Sequence, residues 1–300
     1  LGFFIIFYRL IICLINNKPN AVITFGQSAN VFVHIVTFLL RIPIRIATQR
    51  TPQQYYPFFA RFGGFILGSL SIYTSNICVS KTVMDSFKYY PALYKKKLFI
   101  VHNGIYNSNK KNIEKNKSPN KFKMINVGRL SYPKNQILLL NIMQLLPNDY
   151  QLAIAGDGEL KKMLLNETII KKIDKNVTFL GEISQDLLKK ELLTSDIFIF
   201  PSKYEAFGFA LVEAMNLGLP IIASNIPSNK EILTLSDGRI AGIIIDDNSI
   251  GSYVEKIQML RNNNDLRIKL KELAILRSKD FLLEKTVKGY LNIINNNASN

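Results

Sequence analysis

The stretch that decides the fold is DIFIFPSKYEAFGFALVEAMNLGLPIIASN, residues 196–225. It opens on a short apolar strand, DIFIFP (196–201), and closes on another, PIIAS (220–224), with a helical pattern over 208–217 between them. Apolar strands joined by a helix indicate a parallel sheet covered on both faces. Two glutamates, Glu205 and Glu213, stand eight positions apart across the start of that helix. If the strand ends at Pro201 and the helix begins near Phe207 or Gly208, Glu205 lies in the loop and Glu213 about one and a half turns into the helix. A carboxylate beside a sugar can accept hydroxyl hydrogen bonds, and the first amides of the helix, Phe207 to Ala210, face an anion. The plain alternative is a helix-start acid at Glu205 and a surface ion pair at Glu213.

The same alternation runs outward in both directions. Strands are expected at 122–127, 150–156, 176–181 and 242–246, with helices at about 135–146, 159–172, 185–194 and 228–234. After the last strand, helices fit at 249–261, 264–278 and 281–295. The first hundred residues alternate as well: strands AVITF (21–25), RIPIRIAT (41–48), NICVS (76–80) and KLFIVHNGI (97–105), with helices at 28–40, 57–72 and 81–90. Between the two series lies NSNKKNIEKNKSPNK (107–121), a lysine- and asparagine-rich linker. The fold class is therefore α/β: two Rossmann-like domains facing a cleft, 1–106 and 122–280, with 281–300 a C-terminal helix that could pack back on the first. In such sheets ligands bind beyond the carboxyl ends of the strands.

Charge separates the halves. Residues 1–80 hold six Lys/Arg and no acid, and residues 81–123 hold eleven Lys against Asp85 and Glu114, within a net charge of +16. The rest is nearly balanced. A basic, oily first half beside segments such as LLRIPIRIA suits an anionic membrane surface, and no nucleic-acid-binding signature accompanies it. The opening LGFFIIFYRLIICLI has no basic leader and is too short to span a bilayer, so it reads as a core-facing helix. Cys13, Cys78, His34 and His102 form no metal or redox spacing, and the thiols read as free and buried in a reducing compartment.

Two further constellations follow strands. In VGRLSYPKN (127–135), Gly128 permits close backbone approach, Arg129 and Lys134 suit a diphosphate, and Asn135 is placed to cap the next helix. In IAGDGEL (154–160), the turn Gly156-Asp157-Gly158 lets backbone face a ligand, although such turns mostly just turn.

Taken in order, Arg129 with Lys134, Gly156-Asp157-Gly158, the Glu205/Glu213 pair in a Glu-x7-Glu element and Pro220 after Gly218 resemble glycosyltransferase family 4, retaining enzymes of the GT-B fold. The resemblance covers about residues 20–260 and includes VHNGI (101–105) and ICVSKTVMDSF (77–87). It implies a nucleotide-diphosphate sugar in the second domain and an acceptor in the first. By position, Arg129 and Lys134 would carry the diphosphate charge, Glu213 would take the ribose hydroxyls, and Glu205 with the amides of Phe207, Gly208 and Phe209 would hold the donor sugar. No metal and no cofactor is implied, and UDP is favoured over GDP. The implied reaction moves a hexose or N-acetylhexosamine, with retention, to a lipid-linked glycan acceptor in cell-surface polysaccharide synthesis. The implied location is cytoplasmic, peripheral on the inner face of the plasma membrane.

The sequence departs from the family at two places. Where many members carry a histidine near the donor sugar, this chain reads Thr48-Gln49-Arg50, which makes Arg50 an acceptor-side candidate; His34 reads as a core residue. The family's opening strand and Gly-Gly loop would precede residue 1, so a βαβ unit of roughly 30 residues is expected to be missing. On that expectation residues 1–300 alone express poorly and have little activity. Competing expectations are a sugar-nucleotide epimerase, a phosphorylase, or an inactive fragment that only binds nucleotide.

Overall fold

The computed structural model describes residues 2–107 and 121–298, so the linker 107–121 lies, but for its two end residues, outside the described residues. The chain forms two compact units, residues 1–103 with 284–300, and residues 104–283. The first contains α1 (Gly2–Asn17), β1 (Ala21–Phe25), α2 (Gln27–Leu39), β2 (Ile44–Gln49), α3 (Phe58–Ser69), β3 (Ser75–Cys78), α4 (Lys81–Asp85), α5 (Ala92–Lys95) and β4 (Leu98–Ile100). The second contains β5 (Phe122–Val127), α6 (Gln136–Leu145), β6 (Tyr150–Ala155), α7 (Lys161–Ile170), β7 (Val177–Gly181), α8 (Gln185–Thr194), β8 (Ile197–Phe200) and α9 (Phe209–Asn216). It continues through β9 (Ile221–Ser224), α10 (Pro227–Leu233), β10 (Ile243–Ile245), α11 (Ile250–Asn262) and α12 (Asn264–Ser278). The last helix, α13 (Leu283–Ala298), belongs to the first unit from Glu284 onward. There Ile293 joins Ile44, Ile46, Ile77 and Val101 in one buried cluster.

Both sheets are parallel. The first has the order β1-β2-β3-β4 and the second β10-β9-β8-β5-β6-β7. Every residue of β8 and β9 is buried, as strands covered on both faces require. In the second sheet β8 returns to pair with β5, so the strand order reverses there. That reversal opens a crevice at the carboxyl ends of β5 and β8, the place where open α/β sheets take ligands. Beneath it Met124, Leu139, Ile154, Ile199, Ile222 and Ile257 share one core.

Several local expectations are corrected. Strand β2 starts at Ile44, after Pro43, which has no amide to give to a ladder. The helix expected over 81–90 ends at Asp85, and the separate turn of α5 follows Pro91. The opening helix faces the core with one stripe only. Leu14 is buried with Phe7, Leu10 and Ile11 beside Val36 and Ile42, whereas Ile6 and Tyr8 are 69% and 65% exposed. His34 is indeed internal: fully buried, its Nε2 2.8 Å from Thr24 Oγ1. Cys78 is buried, but Cys13 is exposed, because it lies off the core-facing stripe of α1.

Candidate donor site

The loops after β5 and β8 meet at the strand-order reversal. After β5 the chain turns through a 3-10 segment, Tyr132–Lys134. After β8 it runs through Pro201 and Ser202 to Glu205, which is 9% exposed. Lys134 Nζ donates to Glu205 Oε1 and also sits 5.6 Å from the Phe200 ring centroid. Ser202 Oγ donates to the same carboxylate oxygen at 2.9 Å. Glu205 Oε2 accepts no hydrogen bond among the described residues. An ammonium has three donors, so the ion pair leaves Lys134 with two more to offer. Two backbone and side-chain bonds fix the loops to each other: Lys203 N to Pro133 O, 2.8 Å, and Asn135 Nδ2 to Pro201 O, 3.2 Å. Asn135 stands at the start of α6, but its side chain bonds across the loops and does not cap the helix.

Arg129 is apart from this pair. Its guanidinium forms an ion pair with Glu159 at 3.1 Å, and the two side chains are 72% and 54% exposed. An exposed pair of this kind holds its partners weakly, so Arg129 can leave Glu159 for a stronger anion. Glu159 keeps its carboxyl below the usual range through its own backbone amide first and Arg129 second.

The Gly156-Asp157-Gly158 turn packs against the loop after β5. A Cβ on Gly156 would collide with the Gly128 carbonyl oxygen, and one on Gly158 with the Leu130 carbonyl oxygen. The open sides of both glycines are therefore filled by the loop after β5. Leu130 N donates to Asp157 O at 2.9 Å and Leu160 N to Leu130 O at 3.0 Å. The turn positions Gly128 to Leu130 by close backbone packing. Asp157 accepts from Lys161, which lowers its pKa, and from the Gly158 amide at 2.7 Å.

Gly208 precedes α9 with φ +55°, a left-handed residue that aims the helix mouth. Phe207 is buried against Phe281, and Phe209 is 43% exposed. Along α9, Phe209, Glu213, Asn216 and Leu217 fall on one face and line a cavity of about 560 Å³. Its other walls are Gln185, Asp186, Leu188, Lys189 and Leu192 of α8 and the segment 104–107. Asn216 Nδ2 donates to Tyr106 O at 3.2 Å, which fixes that segment to the helix. The Glu213 carboxylate has no hydrogen bond or ion pair among the described residues, so it does not form the surface ion pair of the plain alternative. Burial pushes its carboxyl pKa up. A half-buried carboxylate without a donor is costly unless something supplies one.

The expected residues thus occupy two places joined by α9. Lys134 and Glu205 meet at the strand-order reversal, and Glu213 stands in the cavity; Arg129 and Lys134 do not line it. Ser202, Glu159, Asn216 and the α8 wall escaped the sequence reading, because nothing in their spacing ties them to the motifs. Arg50 lies in the first unit, exposed, its guanidinium 5.8 Å from the Phe25 ring centroid. Among the described residues no three His, Cys, Asp or Glu are grouped to hold a metal ion.

Residues 108–277 match the model of a family described as glycosyl transferases group 1. The capsular polysaccharide biosynthesis glycosyltransferase CapH of Staphylococcus aureus is 31% identical over 173 residues, 56% of this chain and 46% of that protein. An Escherichia coli UDP-Gal:alpha-D-GlcNAc-diphosphoundecaprenol alpha-1,3-galactosyltransferase is 31% identical over 156 residues, 50% of this chain and 39% of its own. The chain spans about half the length of the curated relatives it matches. Among solved structures, Anabaena HepE in complex with UDP and glucose superposes with a TM-score of 0.80 at 17% identity, covering 98% of this chain and 81% of that one. That likeness shows the fold.

Proposed function

This chain belongs to the glycosyl transferases of group 1, and we propose that it moves a hexose or N-acetylhexosamine from a nucleotide diphosphate to a glycan acceptor, with retention of configuration. The membership of glycosyltransferase family 4 is part of this reading. The observation that carries it is Glu213, a half-buried carboxylate whose oxygens meet no donor among the described residues, on the wall of a cavity of about 560 Å³. A ribose supplies the two hydroxyl donors that such a group lacks, and the volume falls in the ordinary range for a small-molecule site.

In this reading the nucleoside lies along the Glu213 face of α9 and the diphosphate lies at the helix mouth. Lys134 is held in place by Glu205 and directs its remaining donors at the diphosphate; Arg129 leaves Glu159 to join it. Glu205 Oε2 accepts from a hydroxyl of the donor sugar. As the acceptor hydroxyl attacks the anomeric carbon, the bond to the diphosphate breaks, the departing phosphate oxygen takes the bonding electron pair, and the hydroxyl proton passes to that oxygen. Fixed cations at that point stabilise the charge where it develops. UDP is preferred to GDP, and the relatives in capsule and diphosphoundecaprenol-linked glycan synthesis support a lipid-linked acceptor. The basic first half of the chain supports a place on the inner face of the plasma membrane.

The test is release of UDP from UDP-hexoses by the full chain, followed with and without a lipid-diphosphate-linked sugar. Acceptor-dependent release with an α-linked product supports the reading. Conversion of the sugar nucleotide with no acceptor present assigns an epimerase instead.

A further inference from the structure

The solvent side of α3 is aromatic. Its buried residues are Ala60, Leu67 and Gly68. On the opposite side of the helix run Phe58, Phe62 and Phe65, 74%, 56% and 36% exposed. The Phe58 and Phe62 rings stack with centroids 6.0 Å apart and planes within 7°. Arg61, exposed beside them, is the one charged residue of the helix. A surface helix ordinarily turns polar groups to that side. Tyr90 packs edge-on against Phe65 at 5.1 Å. Its neighbour Tyr89 is 86% exposed, with Lys88 Nζ 4.8 Å from its ring centroid. Exposed aromatics gathered on one face of a helix mark a surface that meets something apolar.

Charge decides what that is. The unit carrying α3 has thirteen Lys/Arg against two acids, Asp85 and Glu284. A second copy would bring like charge against like charge. Aromatic rings with interleaved Arg and Lys instead match the zone where acyl chains meet anionic headgroups. We infer that this face docks on an anionic lipid bilayer. Phe58, Phe62 and Tyr89 enter the boundary between headgroups and acyl chains, while Arg61 and Lys88 meet the headgroup phosphates. None of the described helices is long and apolar enough to cross the bilayer. The inference rests on the proposed transferase for its purpose, since a lipid-linked acceptor sits in that surface, but it fails or stands separately.

The test is sedimentation of the full chain with vesicles of phosphatidylcholine alone and of phosphatidylcholine with phosphatidylglycerol, at rising salt. Binding to the anionic vesicles that weakens with salt is expected. The double variant Phe58→Ser/Phe62→Ser and the single variant Arg61→Gln should each lower partitioning, the former at least about tenfold, with UDP affinity unchanged. Arg61→Gln and Tyr89→Ser, at exposed positions, carry the test if the double variant unfolds. Equal partitioning to both vesicle types, or variants that bind like the parent, would overturn the inference. Loss of self-association in the Phe variants with vesicle binding intact would assign the face to a second copy. UDP binding without vesicle binding removes the docking face and leaves the donor site; vesicle binding without UDP binding does the reverse.

Discussion

Glu205 receives the ammonium of Lys134 across 71 residues of chain, in the crevice where β8 returns to β5. The pair ties the two loops that the strand-order reversal brings together. It also limits what Glu205 can do, because one oxygen is already shared by Lys134 and Ser202.

Lys134→Ala should therefore cost both stability and nucleotide affinity. Among the described residues it leaves a carboxylate that is 9% exposed with only the Ser202 hydroxyl, a loss of about 3 kcal/mol by comparison with broken buried pairs. Lys134→Ala/Glu205→Ala should lose less stability than the single variants add up to. Urea denaturation of the four proteins measures the coupling; additive losses would mean the pair has no energetic role.

Glu213→Gln should do opposite things to stability and binding. Burial raises the carboxyl pKa in the folded chain. The protonated form is thus favoured on folding: its contribution is full below the unfolded pKa and is lost as pH rises through the raised folded value. At neutral pH the charge is a cost, and Gln removes it. Thermal melts at pH 7 should show a higher Tm for the variant, while titration shows weaker UDP binding. For the parent chain, UDP affinity should begin to fall on acidification at a higher pH than an ordinary carboxylate would give. A lower Tm for Glu213→Gln would show that the carboxylate has a partner that stabilises it.

Gly156→Ala should disrupt the donor site without touching any charged residue. The new Cβ meets the Gly128 carbonyl oxygen, and φ is +129°. A loss of more than about 2 kcal/mol is expected from backbone strain, with weaker nucleotide binding because the loop carrying Arg129 must move. A stable variant with unaltered binding would show that the loops adjust freely.

His34 should make the first unit sensitive to mild acid. Burial, reinforced by Arg45, lowers its pKa to about 4 despite the Ile46 backbone bond. Above pH 6.5 the imidazole is neutral folded or unfolded. Below it the unfolded chain takes up a proton that the folded chain refuses, and stability falls until about pH 4, by about 3 kcal/mol in all. The urea midpoint should drop between pH 7 and 5, and His34→Gln should flatten that slope. An unchanged slope would place the acid sensitivity elsewhere.

Much of the architecture was legible because its signals are local. Ala21–Phe25 and Phe122–Val127 are mostly apolar runs bounded by polar or turn residues, and both form strands with those bounds. The helix over 185–194 is capped by Ser184, whose hydroxyl accepts from the Leu187 amide. The strand-loop-helix order also puts Glu205 in a loop and Glu213 on a helix. What was not legible depends on distance in space. The side chain of Asn135 bonds across to Pro201, and Gly156 serves the Gly128 carbonyl, because β5, β6 and β8 are neighbours in the sheet. Asn216 reaches Tyr106 across 110 residues. The apolar character of α1 and α3 was visible, yet which residues turn outward is set by packing that composition does not encode.

In the proposed site Glu213 and Lys134 hold one nucleotide diphosphate. The most direct test is calorimetric titration of UDP into the full chain, beside Glu213→Ala, Lys134→Ala and Arg129→Ala. Saturable binding by the parent chain is expected, weakened at least about tenfold by each of the first two substitutions and by less at exposed Arg129. UDP bound equally by all four folded proteins, or by none of them, would contradict it.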